Sequence, residues 1–174
     1  MVGCVVLDKD GNLISKGYHK KYGENHAERD ALLKLKNNEA EGGTLYVNLE
    51  PCSHFGKTPP CVDLIIKHKL KRVVIGMKDV NPKVDGITKL KNAGIEVDFV
   101  LEEEARFLNR MFIKTMTEKM PYVVLKTAST MDGKIASKTG SSKWITSETA
   151  RKEVYRMRKE FDCIMTSSNT VIAD

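Results

Sequence analysis

The chain has 174 residues, of which 41% are hydrophobic and 30% charged, and its formal net charge at pH 7 is +6. This composition is typical of a globular protein, and the length suits one domain plus part of another. No apolar run approaches the roughly 18 residues that a membrane span needs, and no basic n-region of a signal peptide is visible. We therefore expect a cytoplasmic protein with no membrane partner.

The positive charge favours an anionic partner, either nucleic acid or a phosphorylated small molecule. The lysines and arginines are scattered, with no aromatic residues interleaved among them, which favours solvated helix faces. We therefore expect a small phosphorylated partner and no nucleic acid.

Four cysteines indicate the redox compartment. Two of them, Cys52 and Cys61, belong to a motif, whereas Cys4 and Cys163 stand in apolar runs that we interpret as strands with buried thiols. This usage fits a reducing compartment better than a disulfide framework.

The chain opens with two strand-like runs. Residues 2–7 and 13–18 have strand character and flank a turn cluster at 8–12, so the sequence predicts a hairpin. A glycine-bounded loop then leads to a helix that begins near His26, with Asn25 as its cap. Because a strand at residue 1 is an unusual start for a domain, we expect that an N-terminal element is missing.

Strands and helices then alternate. The pattern predicts strands over 44–49, 72–76 and 95–97, and helices over 61–67 and 87–92. Short loops join them, which indicates an α/β architecture with helices on both faces of one sheet. An amphipathic helix is predicted over 102–117.

The composition restarts at Met120-Pro121. Predicted strands over 122–127 and 163–166 flank a predicted helix over 147–161, which is the opening of a second nucleotide-binding-type domain. We therefore predict a first domain over 1–118 and an incomplete second domain over 119–174, since roughly 55 residues are too few to bury an ordinary core.

The residue pattern with the clearest chemistry combines His26-Ala27-Glu28, Pro51-Cys52 and Cys61. The order H-x-E…P-C-x-x-C is the signature of zinc deaminases, in which the glutamate is the general acid/base and not a ligand. Three ligands leave the fourth tetrahedral position for water, whose pKa zinc lowers to about 7. From the first helical turn, Glu28 can move a proton from that water to a leaving amine. The pattern predicts hydrolytic attack on an sp² carbon that bears an amino group.

A closed structural zinc site is the alternative, because His54 lies only two residues after Cys52 and offers a fourth ligand. In such a site Glu28 would have no role. The thiol of Cys61 stands at a helix start, where we expect a lowered pKa that favours the thiolate required by zinc.

The gap between the motif cysteines is eight residues instead of two. The segment 51–61, Pro-Cys-Ser-His-Phe-Gly-Lys-Thr-Pro-Pro-Cys, resembles the zinc loop of the bifunctional riboflavin biosynthesis family, in which a diaminohydroxyphosphoribosylaminopyrimidine deaminase is joined to a 5-amino-6-(5-phosphoribosylamino)uracil reductase. Residues 17–28 and 79–84 are similar to its other deaminase blocks, and residues 125–134, 142–146 and 170–174 to the start of its reductase. The resemblance implies a cytidine-deaminase-like three-layer α/β/α domain, followed by the first part of a dihydrofolate-reductase-like α/β domain.

The resemblance also implies roles for individual residues. It implies zinc on His26, Cys52 and Cys61, and proton transfer by Glu28. Residues that match substrate-binding positions for a phosphoribosylated pyrimidine are His19, His54, Lys57, Asp79 and Asn81 and, in the reductase segment, Ser142 and Arg158. Residues that match NADPH-binding positions are Ala128, Trp144, Thr170 and Asp174.

The leading hypothesis is therefore zinc-dependent deamination of 2,5-diamino-6-(5-phosphoribosylamino)pyrimidin-4-one. One alternative is a nucleoside or tRNA-base deaminase, which would have the short Cys-x-x-Cys gap, and another is an inactive fragment that binds zinc structurally. The family's tendency to self-associate implies a homo-oligomer. Because the NADPH site is only half built, we predict no reductase activity, and because the run 85–88 is shorter than the family's glycine-rich turn, we expect a rearranged loop after Asn81.

Overall fold

The computed structural model describes residues 1–36 and 38–173, and the chain divides into two compact units, Met1–Tyr122 and Val123–Asp174. The strands are β1 (Gly3–Leu7), β2 (Leu13–Tyr18), β3 (Thr44–Val47), β4 (Arg72–Ile75) and β5 (Glu96–Phe99). The helices are α1 (Ala27–Leu32), α2 (Cys61–Lys67), α3 (Gly86–Asn92), α4 (Glu102–Leu108), α5 (Arg110–Glu118), α6 (Glu148–Arg158) and α7 (Ser168–Ala173). The domain boundary after residue 118 stays a prediction. None of the helices in the described ranges has the length and apolar character needed to cross a membrane.

The five strands form one mixed sheet in the order β2-β1-β3-β4-β5. Strand β1 pairs antiparallel with β2 and β3, whereas β3 with β4 and β4 with β5 are parallel. Parallel neighbours need a crossover connection, which α2 and α3 supply. The carboxyl ends of β3 and β4 therefore meet at one edge of the sheet, and the loops that follow them lie side by side.

The apolar core lies between the sheet and helices α1, α2 and α3. Period-two alternation buries Cys4 and Val6 on β1, whereas the intervening Val5 is 37% exposed. Other fully buried core residues are Ala31, Leu32, Leu45, Val62, Ile65, Val73, Ile75 and Leu90. This core holds the amino ends of α1 and α2 near the strand edge where the motif residues lie.

Helix α1 packs directly against the backbone of β2. A Cβ atom at Gly17 would collide with the carbonyl oxygen of Ala27 and the amide nitrogen of Ala31. The hydroxyl of Ser15 donates to the carbonyl of Ala31 at 2.7 Å. Only glycine permits this approach, which fixes where the first turn of α1 lies.

The predicted helix over 102–117 is two helices, α4 and α5, separated at Asn109. Asn109 is 2% exposed, and its Nδ2 donates to the carbonyl of Ala105 at 3.1 Å, where its own backbone amide also donates. A side chain that bonds the preceding turn competes with the helical backbone, which explains the break.

The second unit departs further from the predictions. Neither predicted strand, 122–127 or 163–166, is present among the described residues. A strand needs a hydrogen-bonded neighbour, and neither run has a described one. The predicted helix forms as α6, with the Ser147 hydroxyl accepting from the amide of Ala150 at 3.2 Å, and α7 was not predicted. Cys163 is exposed and not buried as expected, whereas Cys4 is buried.

Candidate metal centre and active site

Three elements bring the motif residues together. His26 is the N-cap residue of α1, Cys52 follows the end of β3, and Cys61 is the first residue of α2. The assignment of Asn25 as the cap is wrong, because His26 holds the extended cap position and no side chain caps the helix. Pro60 precedes Cys61, where its missing amide costs no helical hydrogen bond.

The ligand atoms of His26, Cys52 and Cys61 converge. The Nδ1 of His26 lies 3.4 Å from the Sγ of Cys52 and 3.6 Å from the Sγ of Cys61, and all three atoms lie within 4.8 Å of one another. A tetrahedral zinc ion with bonds of about 2.0–2.1 Å to nitrogen and 2.3 Å to sulfur sets such atoms about 3.5 Å apart. The donor set and its spacing therefore fit zinc.

The two thiols have opposite pKa shifts. Hydrogen bonds from the Cys61 thiol and from His26 lower the pKa of Cys52 to about 4. The same hydrogen bond to Cys52, with burial, raises the pKa of Cys61. The expected lowering at Cys61 is therefore wrong, because its thiol serves as the donor to Cys52 and is fully buried. Both cysteines must lose their protons to bind a metal as thiolates.

Glu28 is the second residue of α1 and is 3% exposed. Burial raises the pKa of Glu28 to about 7, and the charge of Cys52 acts in the same direction. The carboxyl lies beside the thiol of Cys61. A carboxyl with a pKa near neutrality can both accept and release a proton under ordinary conditions.

His54 does not join the ligand cluster. Among the described residues, the histidine, cysteine and acidic side chains close enough to share an ion are His26, Cys52 and Cys61. The Nδ1 of His54 is buried without a hydrogen-bond partner. Since buried polar atoms are normally paired, this nitrogen is available to a bound molecule, and a closed four-ligand site has no support.

Two further predicted substrate residues lie close to the cluster. The ring of His19 packs edge-on against that of His26 at 5.5 Å, and its Nδ1 lies 3.1 Å from the carbonyl oxygen of Asn25. Burial raises the pKa of Asp79. The charge of Cys52 acts in the same direction and that of His54 in the opposite direction. His19 therefore contacts the ligand His26, and Asp79 lies within the electrostatic influence of the ligand Cys52.

Asn81 and Lys57 lie nearer the rim. The amide of Asn81 donates to the Oδ1 of Asp79 at 2.8 Å, which links the two predicted residues. The ammonium of Lys57 lies 4.1 Å from the centre of the Tyr22 ring. Lys57 is exposed, as a side chain that meets a phosphate from solvent would be.

A cavity of about 340 Å³ opens next to the cluster, and its lining does not include the three ligand residues. It is lined by Tyr18, Lys20, Gly23, Glu24, Asn25, Asp30 and Thr58. The hydroxyl of Thr58 is buried without a partner, like the Nδ1 of His54. The cavity joins the loop before α1 to the zinc loop.

The predicted residues of the second unit lie on separate segments. Ala128 and Ser142 lie in the stretch before α6, Arg158 ends α6 and Thr170 belongs to α7. Trp144 packs against Arg151, whose guanidinium lies 4.1 Å from the ring centre. Asp174 lies outside the described residues.

Sequence reasoning missed Glu50, which directly precedes Pro51-Cys52. Glu50 is 3% exposed, and its carboxylate accepts three backbone amides from the loop after β4 and the start of α3. The only signal in the sequence is an acidic residue at the end of a buried strand.

Comparison with known proteins places this site in a family. Residues 1–77 match the cytidine and deoxycytidylate deaminase zinc-binding region, and residues 121–174 match the RibD C-terminal domain. The riboflavin biosynthesis protein RibD of Aquifex aeolicus is 52% identical over 99% of this chain, which covers 49% of that protein. The chain belongs to the RibD family.

Two solved RibD structures are similar to this chain in both sequence and fold. The diaminohydroxyphosphoribosylaminopyrimidine deaminase/5-amino-6-(5-phosphoribosylamino)uracil reductase of Thermotoga maritima is 47% identical, with a TM-score of 0.92 over 99% of this chain and 50% of that one. RibD of Acinetobacter baumannii is 45% identical, with a TM-score of 0.88 over 99% of this chain and 49% of that one. The chain thus spans about half the length of these relatives.

These matches confirm the family resemblance and the fold class, a cytidine-deaminase-like α/β domain followed by a dihydrofolate-reductase-like part. The chain carries a match to the cytidine and deoxycytidylate deaminase zinc-binding region, with His26, Cys52 and Cys61 as its candidate zinc site. The RibD C-terminal domain implies NADPH as the cofactor of the reductase half.

Proposed function

We propose that this chain is a zinc-dependent hydrolase that deaminates 2,5-diamino-6-(5-phosphoribosylamino)pyrimidin-4-one in riboflavin biosynthesis. The observation that carries the proposal is the convergence of one imidazole and two thiols beside a buried glutamate that is not needed as a ligand. A structural zinc site has no use for such a carboxyl, whereas a hydrolytic site requires an acid/base.

His26, Cys52 and Cys61 would hold the zinc ion, which would act as a Lewis acid and lower the pKa of bound water to about 7. Glu28 takes a proton from the attacking water as its oxygen bonds to the amine-bearing ring carbon. Glu28 then gives that proton to the departing nitrogen, so that the carbon–nitrogen bond breaks and ammonia leaves. Burial of Glu28 keeps bulk water from competing for this proton.

The surrounding residues hold the substrate in our proposal. The unpaired Nδ1 of His54 and the carboxyl of Asp79 meet the polar edge of the pyrimidine, with His19 and Asn81 beside them. The exposed ammonium of Lys57 attracts the phosphate as a flexible point charge. The eight residues between Cys52 and Cys61 give the loop enough length to carry both His54 and Lys57.

For the residues of the second unit we propose the roles that the family resemblance implies. Ser142 and Arg158 would contact the reductase substrate, and Ala128, Trp144, Thr170 and Asp174 would contact NADPH. We also propose self-association into a homo-oligomer in the cytoplasm, with no nucleic-acid partner.

The test is ammonia release by the purified, zinc-loaded chain. We expect release with the phosphoribosylated diaminopyrimidine, and at least about a hundredfold lower kcat/KM with cytidine or deoxycytidylate, whose rings lack the 5-amino and 6-(phosphoribosylamino) groups. Activity on cytidine alone would support a nucleoside deaminase instead. Stoichiometric zinc without ammonia from any of the three compounds would support an inactive zinc-binding protein.

A further inference from the structure

Glu50, next to the zinc loop, connects that loop to the segment that follows β4. Its partners Asp79 and Gly86 lie 29 and 36 residues further along the chain. Its Oε1 accepts the amide of Gly86 at 2.8 Å and that of Ile87 at 3.1 Å. Its Oε2 accepts the amide of Asp79 at 3.1 Å. One buried carboxylate therefore binds both ends of the segment that follows β4.

The start of α3 depends on this carboxylate. The first amides of a helix have no partner within the helix, and Asp85 at the cap position makes no side-chain cap hydrogen bond. Glu50 supplies the missing acceptor from the end of β3. A Cβ atom at Gly86 would collide with the carbonyl oxygen of Pro51, so glycine allows the helix start to lie against the zinc loop.

Ser53, on the other side of Cys52, makes a parallel connection. Its hydroxyl accepts the amide of Asp85 at 2.8 Å, and its carbonyl accepts the ammonium of Lys89 at 2.6 Å. Ser53 is 5% exposed. The residues that flank the zinc ligand thus hold the segment 79–89 from both sides.

Through Asp79, Glu50 also restricts the position of Asn81. The backbone of Asp79 is held by Glu50, and its side chain in turn accepts the amide of Asn81 at 2.8 Å. Both residues are candidate substrate contacts, so their positions relative to Cys52 depend on the carboxylate of Glu50.

We propose that Glu50 is a positioning residue for the deamination. It holds the loop of Asp79 and Asn81 in a fixed position relative to the zinc ligand Cys52. This inference rests on the proposed function. It extends that function by assigning the alignment of substrate loop and metal site to one buried carboxylate. In the run 85–88, the amides of Asp85, Gly86 and Ile87 are accepted by Ser53 and Glu50.

Glu50→Gln tests the proposal with almost no change in side-chain volume. A glutamine has one acceptor oxygen, which can serve Gly86 and Ile87 or else Asp79, but not both groups. We expect the oxygen to stay with the two helix amides, so that the amide of Asp79 exchanges with solvent about tenfold faster or more, as measured by NMR. The zinc content should remain that of the wild type.

Steady-state kinetics of the Glu50→Gln variant provide a second test. We expect the KM for the phosphoribosylated diaminopyrimidine to rise about tenfold, with kcat changed less than about threefold, because substrate alignment is lost while zinc and Glu28 stay in place. A merely structural role would lower the folded fraction and the zinc content together and leave KM unchanged.

Two variants serve as controls. Asp98→Asn makes the same carboxylate-to-amide change in an exposed ion pair with Arg72, 2.6 Å apart, and should alter neither exchange at Asp79 nor KM. Ser53→Ala should free the amide of Asp85 and leave that of Asp79 protected. If Glu50→Gln does not fold, Glu50→Asp keeps the charge but shortens the reach, and we expect it to free Asp79 as well.

Wild-type exchange at Asp79 in the folded Glu50 variant, or an unchanged KM, would overturn the proposal. Exchange is measured without substrate, so it decides whether Glu50 holds the loop even if the wild-type chain releases no ammonia. The latter result would refute the proposed function and not the contact itself.

Discussion

His26 and Glu28 lie at the start of α1, as its N-cap and its second residue, but differ in their surroundings. His26 is half-buried and directs Nδ1 toward both cysteines, whereas Glu28 is 3% exposed. Side chains two positions apart on a helix diverge, so one can bind a metal while the other reaches the space beside it. The spacing of two residues thus separates the ligand from the acid/base.

Replacing Glu28 by glutamine removes proton transfer and keeps the side-chain volume. We expect kcat for ammonia release to fall by about 10²–10⁴-fold, the usual contribution of general acid/base catalysis. Zinc content, measured by mass spectrometry of the metal, should not change. Glu41→Gln, which alters an exposed carboxylate paired with Lys69, is the control and should retain full activity. A Glu28→Gln protein with near-normal kcat would show that another group moves the proton.

The unpaired Nδ1 of His54 leads to a different prediction. His54→Ala removes a buried polar atom without a partner, so we expect the free energy of unfolding not to fall. We expect KM to rise about tenfold, because the substrate loses a hydrogen-bonding group. Denaturant unfolding and initial-rate kinetics measure the two effects. His68→Ala, at the end of α2 and outside the site, should leave KM unchanged; a loss of zinc from His54→Ala would instead favour a fourth ligand.

The contact between β2 and α1 sets the position of the first ligand. Gly17 lies where any Cβ would meet the helix backbone at Ala27 and Ala31. The amino end of α1, which carries His26 and Glu28, must therefore shift if residue 17 gains a side chain.

We predict that Gly17→Ala lowers the free energy of unfolding by about 1–3 kcal/mol, the usual cost of overpacking. Zinc affinity should fall as well, because α1 moves relative to Cys52 and Cys61. Denaturant unfolding and metal titration measure the two changes. Gly3→Ala is a matched control on the neighbouring strand, since no atom lies within 4 Å of a Cβ there. Equal effects of the two substitutions would contradict the packing described for Gly17.

Elements differ in how far local sequence predicts them. The hairpin, α2 and α3 follow from alternation, turn residues, Pro60 and Gly94, all of which act within a few residues. The break at Asn109 depends on a buried side-chain hydrogen bond, which the apolar stripe of 102–117 does not reveal. The runs 122–127 and 163–166 have strand composition but no described partner, and composition alone does not form a ladder.

At the scale of the whole molecule, zinc would join three separate elements of the first unit. Its ligands come from the start of α1, the loop after β3 and the start of α2. A ligand that binds only the folded state stabilises it in proportion to its affinity and concentration. Among the described residues, the side chains that could share this ion all belong to the first unit.

We predict that a chelator lowers the unfolding temperature of the first unit by about 5 °C or more. Circular dichroism follows this transition. Trp144 is the single tryptophan of the chain and belongs to the second unit, so its fluorescence should change little on chelation. Identical melting curves with and without the chelator would mean that zinc does not stabilise the fold.

The sequence by itself predicted the reaction class and pointed to the family. His26, Glu28, Cys52 and Cys61 have chemistry that few other residue types can supply, and the loop between the cysteines is specific to the RibD resemblance. These signals depend only on residue identity and on spacing along the chain. They can therefore be recognised without knowledge of the fold.

Only the tertiary structure decided how the site is assembled. The convergence of Cys52 and Cys61 on His26, the unpaired nitrogen of His54 and the three amides held by Glu50 depend on burial and on contacts between residues distant in sequence. Local patterns carry no record of such contacts, because the parallel pairing of β3 with β4 is what brings these loops together.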